Sequence, residues 1–259
     1  MTRDALVLLG RDTTNARETL DTHARRLRER GVADEVRTIH YEYEPQRDLR
    51  DGLAVVDAAA DRVFAVPMTV AHTRETATDV PGALSRLDAD VRYCEPVGRS
   101  AAVTTALRER AVSAWSGPGH PEALALVALG SSSRPHYRQV ADYHAERLRE
   151  HHDEVTTGYL VQNPAAECLR YTLDADRAVA VPFFVTGGDA TERDVPERLE
   201  LDRGGLDYAA PLGTHPRVTD AVEAALAEQR VLAEREDETT FEQSLTADAP
   251  ALATDGKGR

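Results

Sequence analysis

The chain carries the same pattern twice, and this repeat constrains its fold more than any other feature. Residues 62–84 read RVFAVPMTVAHTRETATDVPGAL, and residues 177–199 read RAVAVPFFVTGGDATERDVPERL. Each copy has an apolar run ending in proline, a polar loop, and an Asp-Val-Pro triplet ahead of a helical stretch. The loop keeps its length but changes its chemistry, because Gly187 and Ala190 stand where the first copy has His72 and Glu75. One copy of the repeat therefore has a loop with polar functional groups, and the other has a loop without them. This predicts a cleft in which the two copies contribute differently to function.

The repeat extends over most of the chain. Apolar runs at residues 5–9 and 125–129 each end at a glycine, Gly10 and Gly130. Such runs are typical of strands buried on both faces of a parallel sheet. Helical stretches alternate with the strand-like runs in both halves. We therefore predict an α/β protein of two similar domains, each a parallel sheet flanked by helices, that arose by internal duplication.

A cluster of helix- and strand-breaking residues, SGPGH at 116–120, separates the two copies. We predict an N-terminal domain over residues 1–115, a linker over 116–121 and a C-terminal domain over 122–231. The remaining residues, 232–259, are rich in Asp, Thr and Ala. We predict that this acidic tail is disordered.

The composition restricts the classes of partner. The chain has 259 residues with 45 acidic and 31 basic side chains, a net charge of −14, which argues against a nucleic-acid partner. Lys257 is its one lysine. This balance favours a protein adapted to high salt; an ordinary acidic protein from a GC-rich genome is the alternative. No apolar run approaches the roughly 20 residues of a membrane span, and residues 1–9 lack a signal-peptide pattern. We expect a cytoplasmic protein without a membrane partner.

Three side chains are candidates for metal and proton chemistry. In a parallel sheet the strand-to-helix loops meet at the carboxyl edge and form the ligand crevice. His72 and Glu75 follow one apolar run of the first half, and Glu44 follows another. Imidazole and carboxylate ligands suit Co²⁺ and Fe²⁺, and histidine also accepts a proton near neutral pH. We predict that these residues form a metal-binding and catalytic site; the alternative is that they are solvated loop residues.

Several of these motifs together resemble a known family. They are the Val-Pro…Asp-Val-Pro blocks and the Pro-Leu-Gly-Thr-His-Pro segment at 211–216. In these the chain is similar to the small class II chelatases, the sirohydrochlorin cobaltochelatases and ferrochelatases. The resemblance implies two α/β halves with a tetrapyrrole between them. It also implies insertion of Co²⁺ or Fe²⁺ into sirohydrochlorin in cobalamin or siroheme biosynthesis, without a prosthetic group.

The chain departs from the family pattern at two positions. Family members usually carry Gly-His-Gly-Ser after the first strand, whereas Arg11 and Ser131 stand at the histidine position of the two copies. A second family histidine lies four residues before the Asp of Asp-Ile-Pro, where this chain has Glu75 and Ala190. A non-catalytic tetrapyrrole- or metal-binding paralogue beside an intact chelatase is therefore the alternative function. A small-molecule sensor ranks lower, because no regulatory segment is apparent.

A tetrapyrrole substrate of this kind carries carboxylates, which arginine pairs with bidentately. Backbone amides at the glycine turns also bind anions. The predicted substrate-binding residues are Arg11, Arg74, Ser131, Arg134, His136 and Arg193. The alternative is that arginine is simply the common cation of this chain. For Asp79 and Asp194 we expect helix N-capping rather than catalysis, and for the whole protein a monomer or homodimer.

Overall fold

Two parallel sheets organise the part of the chain that the structure describes, residues 2–235 of a computed structural model. The first sheet contains β1 (Asp4–Arg11), β2 (Glu35–Tyr41), β3 (Arg62–Pro67) and β4 (Asp90–Tyr93), in the order β2-β1-β3-β4. The second contains β5 (Ala123–Ala128), β6 (Glu154–Tyr159), β7 (Ala178–Pro182) and β8 (Leu206–Tyr208), in the order β6-β5-β7-β8. The two orders are equivalent, so the predicted α/β class with two similar sheets is confirmed.

Helices connect the strands and cover both sheets. They are α1 (Ala16–Glu29), α2 (Pro45–Asp48), α3 (Arg50–Asp57), α4 (Val80–Leu84), α5 (Ala101–Ala114), α6 (His136–Leu148), α7 (Leu169–Thr172), α8 (Val195–Arg198) and α9 (Pro216–Arg235). π-helical turns at Glu75–Asp79 and Ala190–Asp194 lead into α4 and α8. Short 3₁₀ turns occur at Val97–Arg99, Ala166–Cys168 and Leu201–Arg203.

Strand β1 illustrates why the apolar runs form the centre of each sheet. Leu6, Val7 and Leu8 are all fully buried, although successive side chains of a strand point to opposite faces. Such a strand is buried along its length only when helices cover both faces of the sheet. β5 is buried at every residue in the same way. Each of these strands lies between two others in its sheet, which is the most protected position.

The closing helix of each half packs on the sheet of the other half. Helix α5 contacts β7, and helix α9 contacts β3. One core cluster accordingly joins Phe64 of β3, Leu107 of α5, Val181 of β7 and Val222 of α9. The predicted linker, residues 116–121, lies between the two sheets in sequence. The division into two domains stays a prediction, because the two halves share this core.

Two buried histidines join the halves in a reciprocal way. His23 of α1 lies 2.8 Å from Thr219 Oγ1 through Nδ1 and 2.9 Å from the Gly213 carbonyl through Nε2. His144 of α6 makes the corresponding contacts to Thr104 Oγ1 and to the Gly98 carbonyl. Both rings are completely buried.

Burial lowers the pKa of His23 and of His144 to about 4, although the carbonyl contacts act in the opposite direction. Both rings are therefore neutral at neutral pH.

The predicted N-capping roles of Asp79 and Asp194 are wrong. Each aspartate is the last residue of a π-helical turn that continues into the next helix, and neither side chain makes a cap hydrogen bond. The helical turn before the triplet leaves no free helix start at the aspartate, so capping is not needed there.

Other expectations meet the limits of the described residues. Helix α9 continues through Arg235, so it includes the first residues of the predicted tail. The rest of that tail, residues 236–259, lies outside the described part of the chain. Within residues 2–235 no helix combines the length and apolar character needed to cross a bilayer.

Candidate functional site

The strand order places the candidate crevice at the carboxyl ends of β1 and β3. From β1 the chain first moves to one edge of the sheet, at β2, and then returns to build outward on the other side, at β3. Ligands of open parallel sheets bind at such a switch in strand order, because the loops diverge there. The loop after β3, which contains His72 and Glu75, therefore lies where a ligand is expected.

This loop meets the second half of the chain at a cavity. The cavity has a volume of about 400 Å³ and lies between the loops after β3 and β4 and the first turns of α6. Its lining residues are Ala71, His72, Glu95, Pro96, Arg99, His136, Gln139, Val140 and Tyr143. Two of the predicted site residues, His72 and His136, thus come together from different halves.

His72 is held in an orientation suited to binding a cation. Its Nδ1 lies 3.3 Å from Thr76 Oγ1, and its Nε2 lies 3.9 Å from Glu95 Oε2. These two contacts orient the His72 ring, and a neutral imidazole can bind a metal ion or accept a proton. The ring centroid of His136 is 6.4 Å away, edge-on to the His72 ring.

Glu75 is an ionised carboxylate on the same loop. Burial alone would raise its pKa, but hydrogen bonds from Thr73 and from its own backbone amide, with the charges of Arg11 and Arg74, lower the pKa below the ordinary value. The negative charge of Glu75 also acts on Tyr41, whose pKa is raised to about 12, mainly by burial. Glu75 is therefore ionised at neutral pH and available as a ligand, although its lowered pKa makes it a weak base.

Glu44 is an exposed carboxylate at the start of α2. It precedes α2, its side chain is 68 % exposed, and its Oε2 lies 3.8 Å from Arg47. Within residues 2–235, no three histidine, cysteine, aspartate or glutamate side chains converge as a metal site. The predicted set of His72, Glu75 and Glu44 is therefore not a preassembled metal centre, and the metal assignment stays a prediction.

Glu95 is the carboxylate that sequence reasoning missed. It follows β4 at the start of a Glu-Pro-Val-Gly segment, and Arg99 holds its carboxylate at 3.0 Å. The segment aligns with Ala-Pro-Leu-Gly at 210–213 of the second copy, so an acid in only one copy was the available signal. Its meeting with His72 depends on β4 lying next to β3, which the sequence does not state.

The remaining predicted substrate-binding residues are dispersed along the carboxyl edges. Arg11 is exposed at the end of β1, with its guanidinium 5.8 Å from the Tyr43 ring centroid. Arg74 is exposed beside Glu75, and Arg134 is partly buried. Arg193 is already paired, with Asp189 at 3.5 Å and Asp194 at 3.1 Å.

Ser131 has a structural role in the second half. Its hydroxyl accepts hydrogen bonds from the amides of Ser133 and Arg134, and its own amide donates to Gln162 at 3.0 Å. These bonds fix the turn after β5. They leave the predicted role of Ser131 in substrate binding as a prediction.

The corresponding loop of the second half is closed by direct contact with the first half. Thr13 donates to the Gly187 carbonyl at 3.1 Å, and Asn15 donates to Glu192 at 3.1 Å. A Cβ atom on Gly187 would stand 3.1 Å from the Asn15 side-chain nitrogen, which shows how closely the two loops approach. The loops that are equivalent by duplication therefore differ: the first borders a cavity, and the second packs against protein.

The architecture matches solved chelatase structures. SirB from Bacillus subtilis superposes with a TM-score of 0.77 over 92 % of this chain and 99 % of its own, at 18 % identity. A likeness at this identity shows a shared fold, so the two-sheet arrangement is that of the class II chelatases.

The sequence comparisons define the family. The CbiX family model matches the chain twice, over residues 5–114 and 123–229. A Halobacterium salinarum protein named "Probable sirohydrochlorin cobaltochelatase" is 27 % identical over 263 residues, covering 84 % of this chain and 89 % of its own. The sirohydrochlorin cobaltochelatase of Methanopyrus kandleri is 29 % identical over 131 residues, which are 38 % of this chain and 92 % of that protein. The chain belongs to the CbiX family, in a form with two repeats.

Proposed function

We propose that the protein inserts a divalent metal ion, Co²⁺ or Fe²⁺, into sirohydrochlorin in cobalamin or siroheme biosynthesis. The observation that carries this proposal is the placement of His72, with Glu95 and His136, on a cavity between the two halves. Family membership and the names of the relatives from Halobacterium and Methanopyrus support the reaction type and the substrate.

The reaction exchanges one divalent cation for the two protons of the inner pyrrole nitrogens. The protein must hold the ion weakly enough to release it and must accept the protons. His72 suits both tasks, because neutral imidazole binds such metals and can also accept a proton. Glu75 supplies a negative charge for the cation, since its pKa is lowered and it is ionised; its carboxylate can pass a proton on to solvent but does not retain it. Glu44, exposed at the start of α2, is assigned to the first capture of the hydrated cation.

Cationic side chains near this site suit the peripheral carboxylates of the substrate. Arg11 and Arg74 lie close enough to Glu75 for their charges to lower its pKa. Guanidinium pairs with carboxylate through two parallel hydrogen bonds. His136 lines the cavity from the second half, and we assign Arg134, two residues before it, to the same side, so the macrocycle would be held by both halves. We assign Ser131 and Arg193 to the outer part of this surface.

The decisive experiment measures metal insertion by absorbance with sirohydrochlorin and Co²⁺ or Fe²⁺. High salt is the appropriate buffer, because the chain has 45 acidic residues and one lysine, Lys257. We expect the double variant His72→Ala, Glu75→Ala to lose at least about a hundredfold in rate, the usual size of a general acid–base contribution. His120→Ala changes an exposed histidine in the predicted linker and serves as the matched control. Insertion at the wild-type rate by the double variant would remove the proposed site.

A second candidate function is tetrapyrrole or metal binding without insertion. It is favoured by Arg11 and Glu75, which stand at the positions where the family usually has histidines. The same assay separates the two functions. Tight binding of sirohydrochlorin without a change to the metallated spectrum, with either metal, would identify a binding protein. The initial rates with each metal would identify the preferred ion.

A further inference from the structure

Tyr43 is an aromatic side chain held out in solvent at the carboxyl edge of the first sheet. It is 81 % exposed, more than any other large hydrophobic side chain in the described part of the chain. A lone exposed tyrosine would need no explanation. This one lies two residues after the end of β2 and beside Arg11, at the edge where ligands of parallel sheets bind.

The backbone under Tyr43 is fixed, so its exposure does not come from a loose loop. One carboxylate oxygen of Asp48 accepts hydrogen bonds from the amides of Glu42, Tyr43 and Glu44, at 3.0, 3.2 and 3.2 Å. Three converging donors stabilise the ionised carboxylate. The ring therefore has a defined base and an exposed face.

Arg11 connects Tyr43 to the proposed reaction site. Its guanidinium carbon lies 5.8 Å from the Tyr43 ring centroid, within the range of a cation–π contact. Its charge also contributes to the low pKa of Glu75. An aromatic face, a guanidinium and a catalytic candidate thus follow one another along the same edge.

The duplication provides an internal comparison for this pair. The Glu-Pro of residues 44–45 aligns with Asn-Pro at 163–164, and Gly10 aligns with Gly130, so Gln162 and Ser131 occupy the positions of Tyr43 and Arg11. In the second half the residues at these two positions bond to each other, because the Ser131 amide donates to the Gln162 side chain at 3.0 Å. The first half instead presents an aromatic face and a charged group to solvent.

We propose that Tyr43 and Arg11 form a binding subsite for a planar conjugated macrocycle that carries carboxylates. The exposed tyrosine ring stacks against the macrocycle plane, and the Arg11 guanidinium pairs with a peripheral carboxylate. The identity of the macrocycle as sirohydrochlorin rests on the proposed function. The subsite itself concerns binding and requires no metal.

The test is an absorbance titration of the full chain with metal-free sirohydrochlorin in high salt. We expect Tyr43→Ala to raise Kd roughly three- to tenfold, the range of an aromatic stacking contribution, whereas Tyr43→Phe keeps the ring and stays near wild type. Tyr171→Ala is the matched control, because Tyr171 is 71 % exposed on α7 of the second half. Arg11→Ala should also weaken binding, and circular dichroism verifies that each variant is folded.

The outcomes distinguish this subsite from the proposed function. One outcome is that the wild type binds the macrocycle, Tyr43→Ala binds it more weakly, and neither the wild type nor the variant inserts a metal ion. This outcome supports the subsite and overturns the proposed enzyme. Metal insertion by the wild type with an unchanged Kd in Tyr43→Ala overturns the subsite alone. Failure of the wild type to bind the macrocycle overturns both. Equal losses in Tyr43→Ala and Tyr171→Ala would attribute the effect to general surface change and overturn the subsite.

Discussion

Glu95 gives His72 a carboxylate neighbour that the spacing of residues along the chain does not reveal. Its Oε2 lies 3.9 Å from His72 Nε2, and Arg99 anchors the same carboxylate. A negative charge at this distance favours a cation on the imidazole, whether the cation is a proton or a metal ion. Because Glu95 faces the ring nitrogen that is proposed to hold the cation, it would share the cation with His72 in the proposed reaction.

We predict that Glu95→Gln raises the KM for the metal ion roughly tenfold, about 1.4 kcal/mol, because it removes one of the negative charges that attract the cation. The kcat should change less, because His72 and Glu75 remain. Initial rates over a range of Co²⁺ concentrations measure both constants. Glu109→Gln is the matched control, since Glu109 lies 3.1 Å from His215 outside this cavity. Equal effects of the two substitutions would contradict the assignment.

At the scale of elements, the 3₁₀ turn Val97–Arg99 packs closely against the loop after β3. This close approach is possible because residue 98 is glycine and has no side chain. A Cβ atom on Gly98 would stand 2.0 Å from the Val70 carbonyl oxygen and 2.4 Å from its Cα. The obstacle is backbone, which cannot rotate away as a side chain can. The carbonyl of Gly98 also contacts the buried His144 ring. One glycine therefore fixes the distance between the loops that carry His72 and Glu95.

We predict that Gly98→Ala lowers the free energy of unfolding by about 3 kcal/mol, the upper range for overpacking a close contact, and impairs metal insertion through displacement of Glu95. Denaturant unfolding and the insertion assay measure the two effects. Gly82→Ala in α4 is the control, because its added Cβ would meet only the flexible Gln46 side chain, at 3.1 Å. Alanine also favours the helical state there, so a loss of stability similar to that of Gly98→Ala would refute the packing argument.

Some of the elements and their packing could be predicted from the sequence, and others could not. The buried strands and the duplication followed from apolar runs such as residues 5–9, because burial of both strand faces leaves a continuous apolar signature. The helical turn before Asp79 was missed, since a triplet containing proline resembles a helix start. Glu95 was missed because strand order decides which loops are neighbours, and order is a property of the whole chain. The packing of α5 on β7 was invisible for the same reason.

At the scale of the molecule, the two halves are held together by a shared core and by two neutral buried histidines. Burial depresses the pKa of His23 and His144 to about 4, whereas the unfolded chain has the ordinary value of about 6.5. Between these values the unfolded state binds more protons than the folded state. The free energy of unfolding is therefore highest above a pH of about 6.5, and it decreases as the pH falls toward 4.

We predict that acidification from pH 7 to 4 costs about 3 kcal/mol of folding free energy for each of these histidines, from the size of the pKa difference. His144→Gln removes one titrating ring; it should be less stable at pH 7 and less sensitive to acid than the wild type. His120→Gln changes an exposed histidine and should leave the pH dependence unchanged. Chemical denaturation at several pH values measures these slopes. Parallel curves for wild type and His144→Gln would show that the buried ring does not carry the effect.

The contact between the loop at Gly187 and the loop at Asn15 has a consequence for how the molecule can change. Two identical chains around a twofold axis must present two equal faces, because the symmetry operation copies every contact. A covalently fused pair is released from that rule, so a substitution on one side leaves its counterpart untouched. One junction is closed in this way by direct hydrogen bonds between the loops. The other junction, at His72 and His136, borders the cavity. Its residues can change without altering the contacts at the first junction.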